Sequence, residues 1–446
     1  MQLTEKEIQI PRPGQDVSLI GYFEREVGQG LPAGAVPVRF VVTRTTQKEH
    51  HCEVGVLTGL EGFGSGVPGS IFEFRPRPGE SAEQFNAVLL VPTGIGAEIG
   101  GHAGDAGPVA RLLAAACDNL ITHPNVVNAS DINELPENAL YVEGSVICRL
   151  LMGTAAIRKV RSNRVLLVID EHPERQISDL VINSASAARA TLGMDCPGVI
   201  KMDPRVRLRA ERSSSGSAVG RIEGLERLCE LLRQRRGEYD AVALATLIEV
   251  PEGTHEEYFR SDGGMVNPWG GVEAMLTHAV SMLLEVPSAH APMMESMEML
   301  ATRFGVVDPR MAAEAVSICF LHCVLKGLHR APRIVTGAAD FGQTGVLSAA
   351  DVSCLVIPDG CVGLPTLAAC QMGIPVIAVR ENRNVMRNDL ESLPFAPGKL
   401  LVVDNYLEAA GVMASMKAGV APETVRRPLS GTRVSVSATT KPARVG

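Results

Sequence analysis

Residues Val88–Gly107, VLLVPTGIGAEIGGHAGDAG, constrain the fold more than any other stretch of the chain. A short apolar run, Val88–Val91, meets Gly94, Gly96, Gly100, Gly101, Gly104 and Gly107, and an Ala/Leu-rich helical pattern follows from Pro108 to Cys117. Glycine permits positive φ and lets a ligand approach the backbone closely. A helix start presents unpaired N–H groups with partial positive charge. Strand, loop and helix together predict a βα unit with a pocket for a phosphate or carboxylate, in which Thr93, Gly94, Gly96 and Asp105 contact the ligand. Asp105 has a second reading, as the cap of the helix that starts near Pro108. The spacing is not that of the dinucleotide fingerprint: after Gly94-x-Gly96 the third glycine comes one residue late, at Gly100, where the pattern wants it at Ile99.

The same grammar recurs down the chain. Apolar strands are predicted at Ala87–Val91, Asn119–Thr122, Arg164–Ile169, Gly198–Lys201, Ala241–Ile248, Arg333–Val335, Val352–Ile357, Pro375–Val379 and Lys399–Val403. Helices are predicted at Pro108–Cys117, Ile177–Leu192, Ala218–Arg235, Val272–Leu284, Pro309–His329 and Leu364–Met372. Apolar strands alternating with helices imply an α/β fold with mostly parallel sheets, in Rossmann-like halves, with ligands at the carboxyl edge of the strands. Residues 1–85 read as a small β-rich N-terminal domain, from the runs Val38–Arg44 and Glu53–Leu57 and the alternation over Ile71–Arg75, with Gly62–Gly69 as a flexible connector. The expected units are therefore 1–85, a first α/β half at 86–240, a second at 241–410, and a tail at 411–446. From Ala421 onward the tail carries Arg426, Arg427, Arg433, Lys441 and Arg444 against the single acid Glu423, and reads as frayed or partner-bound.

Composition narrows the function classes. The 446 residues are 46% hydrophobic and 21% charged, ordinary for a globular protein with a large core. Net charge is −8, no basic stripe occurs and aromatics are 4%, which argues against nucleic acid or an anionic membrane as partner. The first residues, MQLTEKEIQIPRPG, are charged where a secretion signal is apolar, and no run reaches the ~20 apolar residues of a membrane span, so a cytoplasmic location is expected. Ten cysteines at irregular spacing, with no C-x-x-C pair, read as reduced thiols.

The second unit of this kind is Asp351–Arg380, where a strand enters Asp359-Gly360-Cys361-Val362-Gly363 and a helix starts near Leu364-Pro365. A thiol just before a helix N-terminus has a lowered pKa, so Cys361 is a candidate nucleophile, with loop N–H groups for the oxyanion. The alternative is a small buried residue filling a turn. Asp359 is a turn residue or a ligand contact. His123 follows a strand directly, with Asn125 and Asn128 after it, and is a candidate general base, as is His290 in Ala289-His-Ala-Pro292. Ser213–Ser217, with Ser215 and Gly216 at its centre, follows four arginines and precedes an expected helix, so it suits a phosphate or serves as a cap. Cys319, His322 and Cys323 share one helical face, but that helix is apolar on nearly every side and reads as structural. His50-His51-Cys52 lies in a strand pattern whose neighbours face opposite ways, which does not suit one ion. No metal site is expected, and no cofactor is required by the residues.

Several strings together resemble a bacterial family known as domain of unknown function 3326: Pro92-Thr-Gly-Ile-Gly96, Ala103-Gly-Asp105, Thr122-His-Pro-Asn125, Tyr141-Val-Glu-Gly144, Ser215-Gly216, His290-Ala-Pro292 and Arg330-Ala-Pro332. The likeness spans about residues 86 to 385 and is most specific in the first glycine loop. The family's late cysteine-glycine turn looks like Cys361–Gly363 here, with Val362 in place of the second family glycine, and its Glu-Asn pair looks like Glu381-Asn382. The resemblance implies clustered polar residues, Arg330, Glu381 and Asn382 among them, and brings no activity with it. A looser similarity, of the glycine loops to those of twin-Rossmann nucleotide-sugar transferases and epimerases, is one of fold. The expectation is an enzyme that takes a small anionic metabolite, carboxylated or phosphorylated, in a cleft between α/β halves. Cys361 would be nucleophile and His123 or His290 base, in a hydrolase, lyase or isomerase that is a homo-oligomer. The alternatives are a nucleotide-sugar transferase or epimerase, and a ligand-binding protein without turnover.

Overall fold

The structure, a computed structural model, describes residues 1–14, 17–60, 69–301, 305–432 and 434–435. The connector expected at 62–68, and the tail at Arg433 and beyond 435, lie outside the described residues.

Short apolar runs become strands buried on both faces. Asn86–Leu89, Asn119–Thr122, Val165–Asp170, Ala241–Thr246 and Val352–Pro358 are buried at every position, the pattern of central parallel strands. Six of the strands form one parallel sheet, ordered Leu400–Val403, Val376–Val379, Val352–Pro358, Asn86–Leu89, Asn119–Thr122 and Ala139–Tyr141. Chain order reverses between Asn86–Leu89 and Val352–Pro358, which lie side by side. The chain between 142 and 351 builds a second parallel sheet, ordered Val199–Met202, Val165–Asp170, Ala241–Thr246 and Ser288–Pro292. A third, largely antiparallel sheet runs Ile248–Glu249, Arg207–Arg212, Ala218–Glu223, Gln2–Pro11, Glu49–Thr58, Val36–Thr45 and Val362–Gly363.

The sheets cross the expected boundaries. Val165 pairs with Ala241 across residue 240, and Gln2 pairs with Glu223, so each of these three sheets draws strands from more than one of the expected units. The helix Tyr406–Lys417 spans residue 410 and packs on Gly107–Ala115. Three local expectations also change. Ala218–Glu223 is a strand, and only Leu225–Gln234 of the expected Ala218–Arg235 is helical; AVGRIE alternates, with Arg221 and Glu223 outward, and Gly224 at φ +80° starts the helix. Ile71–Arg75 is not a strand: Ile71 and Phe72 lie in a turn and the next three residues run without regular structure. The Pro309–His329 helix is broken into Ala312–Val316 and His322–His329, with Phe320 at φ +59° between them, which dissolves the Cys319/His322/Cys323 face.

Candidate functional site

A cavity of about 260 Å³ lies where the carboxyl ends of the two parallel sheets meet. Three adjacent strands of the six-stranded sheet each deliver a residue just past their ends: Thr93 after Asn86–Leu89, His123 after Asn119–Thr122, and Glu143 after Ala139–Tyr141. The four-stranded sheet contributes Ala289–Pro292, His290 included. The helix Gly270–Leu284 is buried almost all round and turns Glu273, Thr277 and His278 toward the cavity.

Two glutamate–histidine pairs border this space. Glu143 caps the helix Gly144–Leu151, accepting from the Ser145 N–H at 2.9 Å and from its hydroxyl. Its Oε1 stands 2.5 Å from His278 Nδ1. Burial alone would raise the Glu143 pKa, but His278 and Ser145 outweigh it and hold the carboxyl below its usual range, ionised. The contact is an ion pair without hydrogen-bond geometry, and neither ring nitrogen of His278 has a hydrogen-bond partner among the described residues. In the second pair Glu273 Oε2 lies 3.0 Å from His290 Nδ1, and His290 Nε2 is taken by Thr246 Oγ1 at 2.8 Å. His123 Nε2 accepts the Val91 N–H at 3.1 Å, so in the neutral ring Nδ1 carries the proton. Burial lowers the His123 pKa to about 4 and keeps it neutral.

A third carboxyl behaves differently. Glu314 accepts from the Ala103 N–H at 2.8 Å and from Tyr258 Oη at 3.2 Å, and Tyr258 is in turn 2.7 Å from His102 Nδ1. Burial pushes the Glu314 pKa up to about 7. Glu143, held ionised beside a histidine, and Glu314, its pKa raised, are two carboxyls of one cavity displaced in opposite directions.

Of the residues expected from sequence, Thr93, His123, Asn125, Asn128 and His290 line this cavity. Three amides of the glycine loop are already taken by side chains of the chain itself. The N–H groups of Ile99, Gly100 and Ala103 go to Asn382 Oδ1, Asp105 Oδ1 and Glu314 Oε1, and Asn125 Nδ2 caps the Gly100 carbonyl. The anions at this loop are thus the chain's own side chains. Gly94 and Gly96 serve close packing: a Cβ on Gly94 would lie 2.9 Å from Ala218 O, and one on Gly96 2.9 Å from Val266 Cγ2. Asn382 is fully buried, bonded to Ile99 and Tyr406, while Glu381 is exposed. Ser215 donates to Glu53 Oε1 at 2.7 Å in the hairpin that contains Gly216, so this loop too already holds a carboxylate. Arg330 ends the helix His322–His329 outside the lining. Asp359 accepts from the Gly360 N–H within its turn, and Gly363 pairs with Val41 in the antiparallel sheet. Cys361 also lies outside the lining; it is 4% exposed, and burial, aided by Asp359, pushes its thiol pKa up, opposite to the shift a thiolate nucleophile needs.

Sequence reading missed Glu143, Glu273, His278 and Glu314. The available signal was the helix Gly270–Leu284, where Glu273, Thr277 and His278 interrupt an otherwise apolar pattern on one side. Among the described residues no group of three or more His, Cys, Asp or Glu is arranged to hold a metal ion.

The family model described as "Protein of unknown function (DUF3326)" matches residues 86–426. The chain belongs to this family. The DUF3326 match contains every cavity-lining residue named above and extends the likeness read from sequence beyond residue 385. An uncharacterized lipoprotein of Synechococcus sp. is 34% identical over 339 residues, which cover 75% of this chain and 92% of that one. No solved structure matches this DUF3326 chain.

Proposed function

We propose that this protein is an enzyme of acid–base chemistry on a small metabolite, an isomerase, lyase or hydrolase, with His278 as its general base. The observation that carries this reading is the buried Glu143 carboxylate, held ionised in an ion-pair contact 2.5 Å from His278 Nδ1, with His278 in the cavity lining. A carboxylate at this distance stabilises the imidazolium formed when the ring takes a proton from a substrate C–H or from water. Glu314, its pKa raised to about 7 and so about half protonated near that pH, supplies a proton to a carbonyl or leaving-group oxygen. His123 acts as a neutral donor through Nδ1–H, because its other nitrogen is already committed to Val91. His290, with both nitrogens engaged, positions rather than abstracts. The expected cysteine nucleophile is not part of this proposal.

The strand order of the six-stranded sheet, 3-2-1-4-5-6 in order of appearance, is that of dinucleotide-binding folds and favours the nucleotide-sugar alternative. Two features weigh against it. The crevice at the reversal point is bridged by backbone bonds, Val385 N to Ile95 O at 3.0 Å and Glu98 N to Arg383 O at 2.9 Å. The cavity's about 260 Å³ lies below the roughly 300–1,000 Å³ of drug-sized ligand sites.

The test is incubation of the purified protein with a metabolite extract in D₂O, read by mass spectrometry, beside His278→Gln. The wild type consumes or deuterates a metabolite that the variant leaves untouched; equal turnover by the variant removes His278 as base. The cytoplasmic location stays part of the proposal. Among the described residues no helix is long and apolar enough to cross a membrane, while the Synechococcus relative is named a lipoprotein, so fractionation of the native cells decides.

A further inference from the structure

One wall of the cavity carries more unexplained polarity and backbone strain than its surroundings. Ser130 lines it, is 4% exposed, and its hydroxyl has no hydrogen-bond partner. Ser130 also sits at φ +56°, where side-chain-bearing residues are uncommon. Beside it, Phe320 takes φ +59°, and the two are half of the four non-glycine residues with positive φ in the described chain. A bulky aromatic there is an outlier. The run Ala312–His329 is helical in composition, yet it opens at 317–321, where Ser317, Ile318 and Phe320 face the cavity. Asp131 repairs the break: its Oδ2 accepts from the Ile318 and Cys319 N–H groups at 3.1 Å each, and its own N–H goes to Ser317 Oγ at 3.0 Å. The Ser317 hydroxyl proton therefore keeps no acceptor among the described residues. Backbone held in sparsely populated regions, against the local helical preference, persists where the surroundings over-determine it, and such places cluster at ligand clamps. A buried hydroxyl without a partner calls for one.

We infer that the Ser130/Ser317 wall is a subsite for an uncharged oxygen of the substrate, a hydroxyl or carbonyl as on a polyol, sugar or amide. This deepens the acid–base reading, since it concerns the same cavity. The charge of the ligand follows from the rest of the lining. Among the described residues no arginine or lysine borders the cavity, whereas Glu143 and Glu273 do. A phosphate or carboxylate entering it meets like charge and finds no arginine or lysine among the described residues to pair with. Two serine hydroxyls donate to and accept from a neutral oxygen without any charge to balance. The small anionic metabolite expected from the glycine loops is replaced by a neutral, oxygen-rich one.

The experiment is thermal shift with D-ribose and myo-inositol at millimolar concentration, against the anions D-ribose 5-phosphate and D-gluconate. The neutral compounds raise the melting temperature and the charged ones do not. Ser130→Gly keeps or raises the melting temperature of the free protein, because glycine takes φ +56° without strain, and it abolishes the ligand-induced rise; Ser130→Ala abolishes that rise as well. A rise with the charged compounds, no rise with either neutral one, or a rise that survives both Ser130 variants overturns the subsite. His278→Gln retains the polyol shift. Turnover lost in that variant without any polyol shift in the wild type sinks the subsite alone, and turnover intact in it sinks the base assignment alone.

Discussion

Replacing Glu314 by glutamine tests the acid half of the site without needing the substrate. Glu314 is 9% exposed, and its pKa rises from the ordinary 4.5 to about 7 through burial. A carboxyl whose folded pKa is raised binds its proton more tightly when folded. It costs nothing at low pH, where both states are protonated, and destabilises the fold progressively as pH climbs from the unfolded value through the folded one. A displacement of that size corresponds to about 3 kcal/mol once both states are ionised. Glutamine keeps the acceptor for the Ala103 N–H and for Tyr258 and places its NH₂ where the acid proton was, so it mimics the neutral form at every pH. Glu5, also raised to about 7, steepens the wild-type and variant curves alike, whereas Asp105, whose charge helps to raise Glu314, is coupled to it and adds to the difference between them. Urea unfolding is followed by fluorescence of Trp269, the only tryptophan, which lines the cavity and packs edge-on to Tyr258 at 5.2 Å. Glu314→Gln and wild type are expected to differ little near about pH 5. The variant gains about 3 kcal/mol on the wild type by about pH 8.5. A difference that stays flat with pH, or a wild type that gains on the variant as pH rises, refutes a neutral acid at this position.

Glu143→Gln is expected to leave the fold intact, since its amide oxygen still accepts from Ser145, and to lower turnover by roughly 10²–10⁴-fold in the metabolite assay, the usual share of a positioned base. Cys361 stays unmodified by iodoacetamide in the native protein at mildly alkaline pH, and Cys361→Ala retains turnover, as peptide mapping and the same assay will read; rapid alkylation or lost turnover restores the nucleophile. Gly104→Ala costs on the order of 3 kcal/mol by urea unfolding, because Gly104 has φ +78° and a Cβ there would lie 2.2 Å from Ala129 Cβ and 2.5 Å from its Cα.

The parallel strands were legible because burial on both faces demands continuous apolar runs. Asn119–Thr122, Arg333–Val335 and the helix Leu364–Met372 fall on the residues expected of them. Gln2–Pro11 carries Glu5, Lys6 and Glu7 where a strand signal would be apolar, so this strand does not stand out in the sequence. In the sheet, Glu5 is paired with Arg39 at 2.6 Å and hardly exposed. The break at 317–321 contradicts local helical preference, and only its bonds to Asp131, far away in sequence, account for it. The site divides in the same way. Thr93, His123 and His290 could be found because strand ends point to the carboxyl edge. Glu143, Glu273, His278 and Glu314 acquire meaning only through partners that the fold brings to them. The glycine loops misled for a physical reason: their N–H groups do bind anions and polar oxygens, and these belong to Asp105, Glu314 and Asn382 of the same chain.

The antiparallel sheet explains how these residues hold their positions. The helix that carries Glu273 and His278 begins against the strand Ala218–Glu223: a Cβ on Gly271 would fall 2.1 Å from Ala218 O, and one on Gly220 2.5 Å from Val272 Cβ. Backbone meets backbone there with no side chain between, so a small displacement of the strand moves the helix and both of its site residues with it. The strand is held on one side by Arg207–Arg212 and on the other by Gln2–Thr4, and Gln2–Pro11 is itself paired along its whole length with Glu49–Thr58. Beneath the hairpin turn, Ser215 and Ser217 close on Glu53, and Arg39 joins Glu53 to Glu5. The N-terminal strands lie outside the DUF3326 match, yet they fix the register of the strand on which the proposed base rests. The geometry of the site is thus a property of the whole chain, although every residue proposed to touch the substrate comes from the family region.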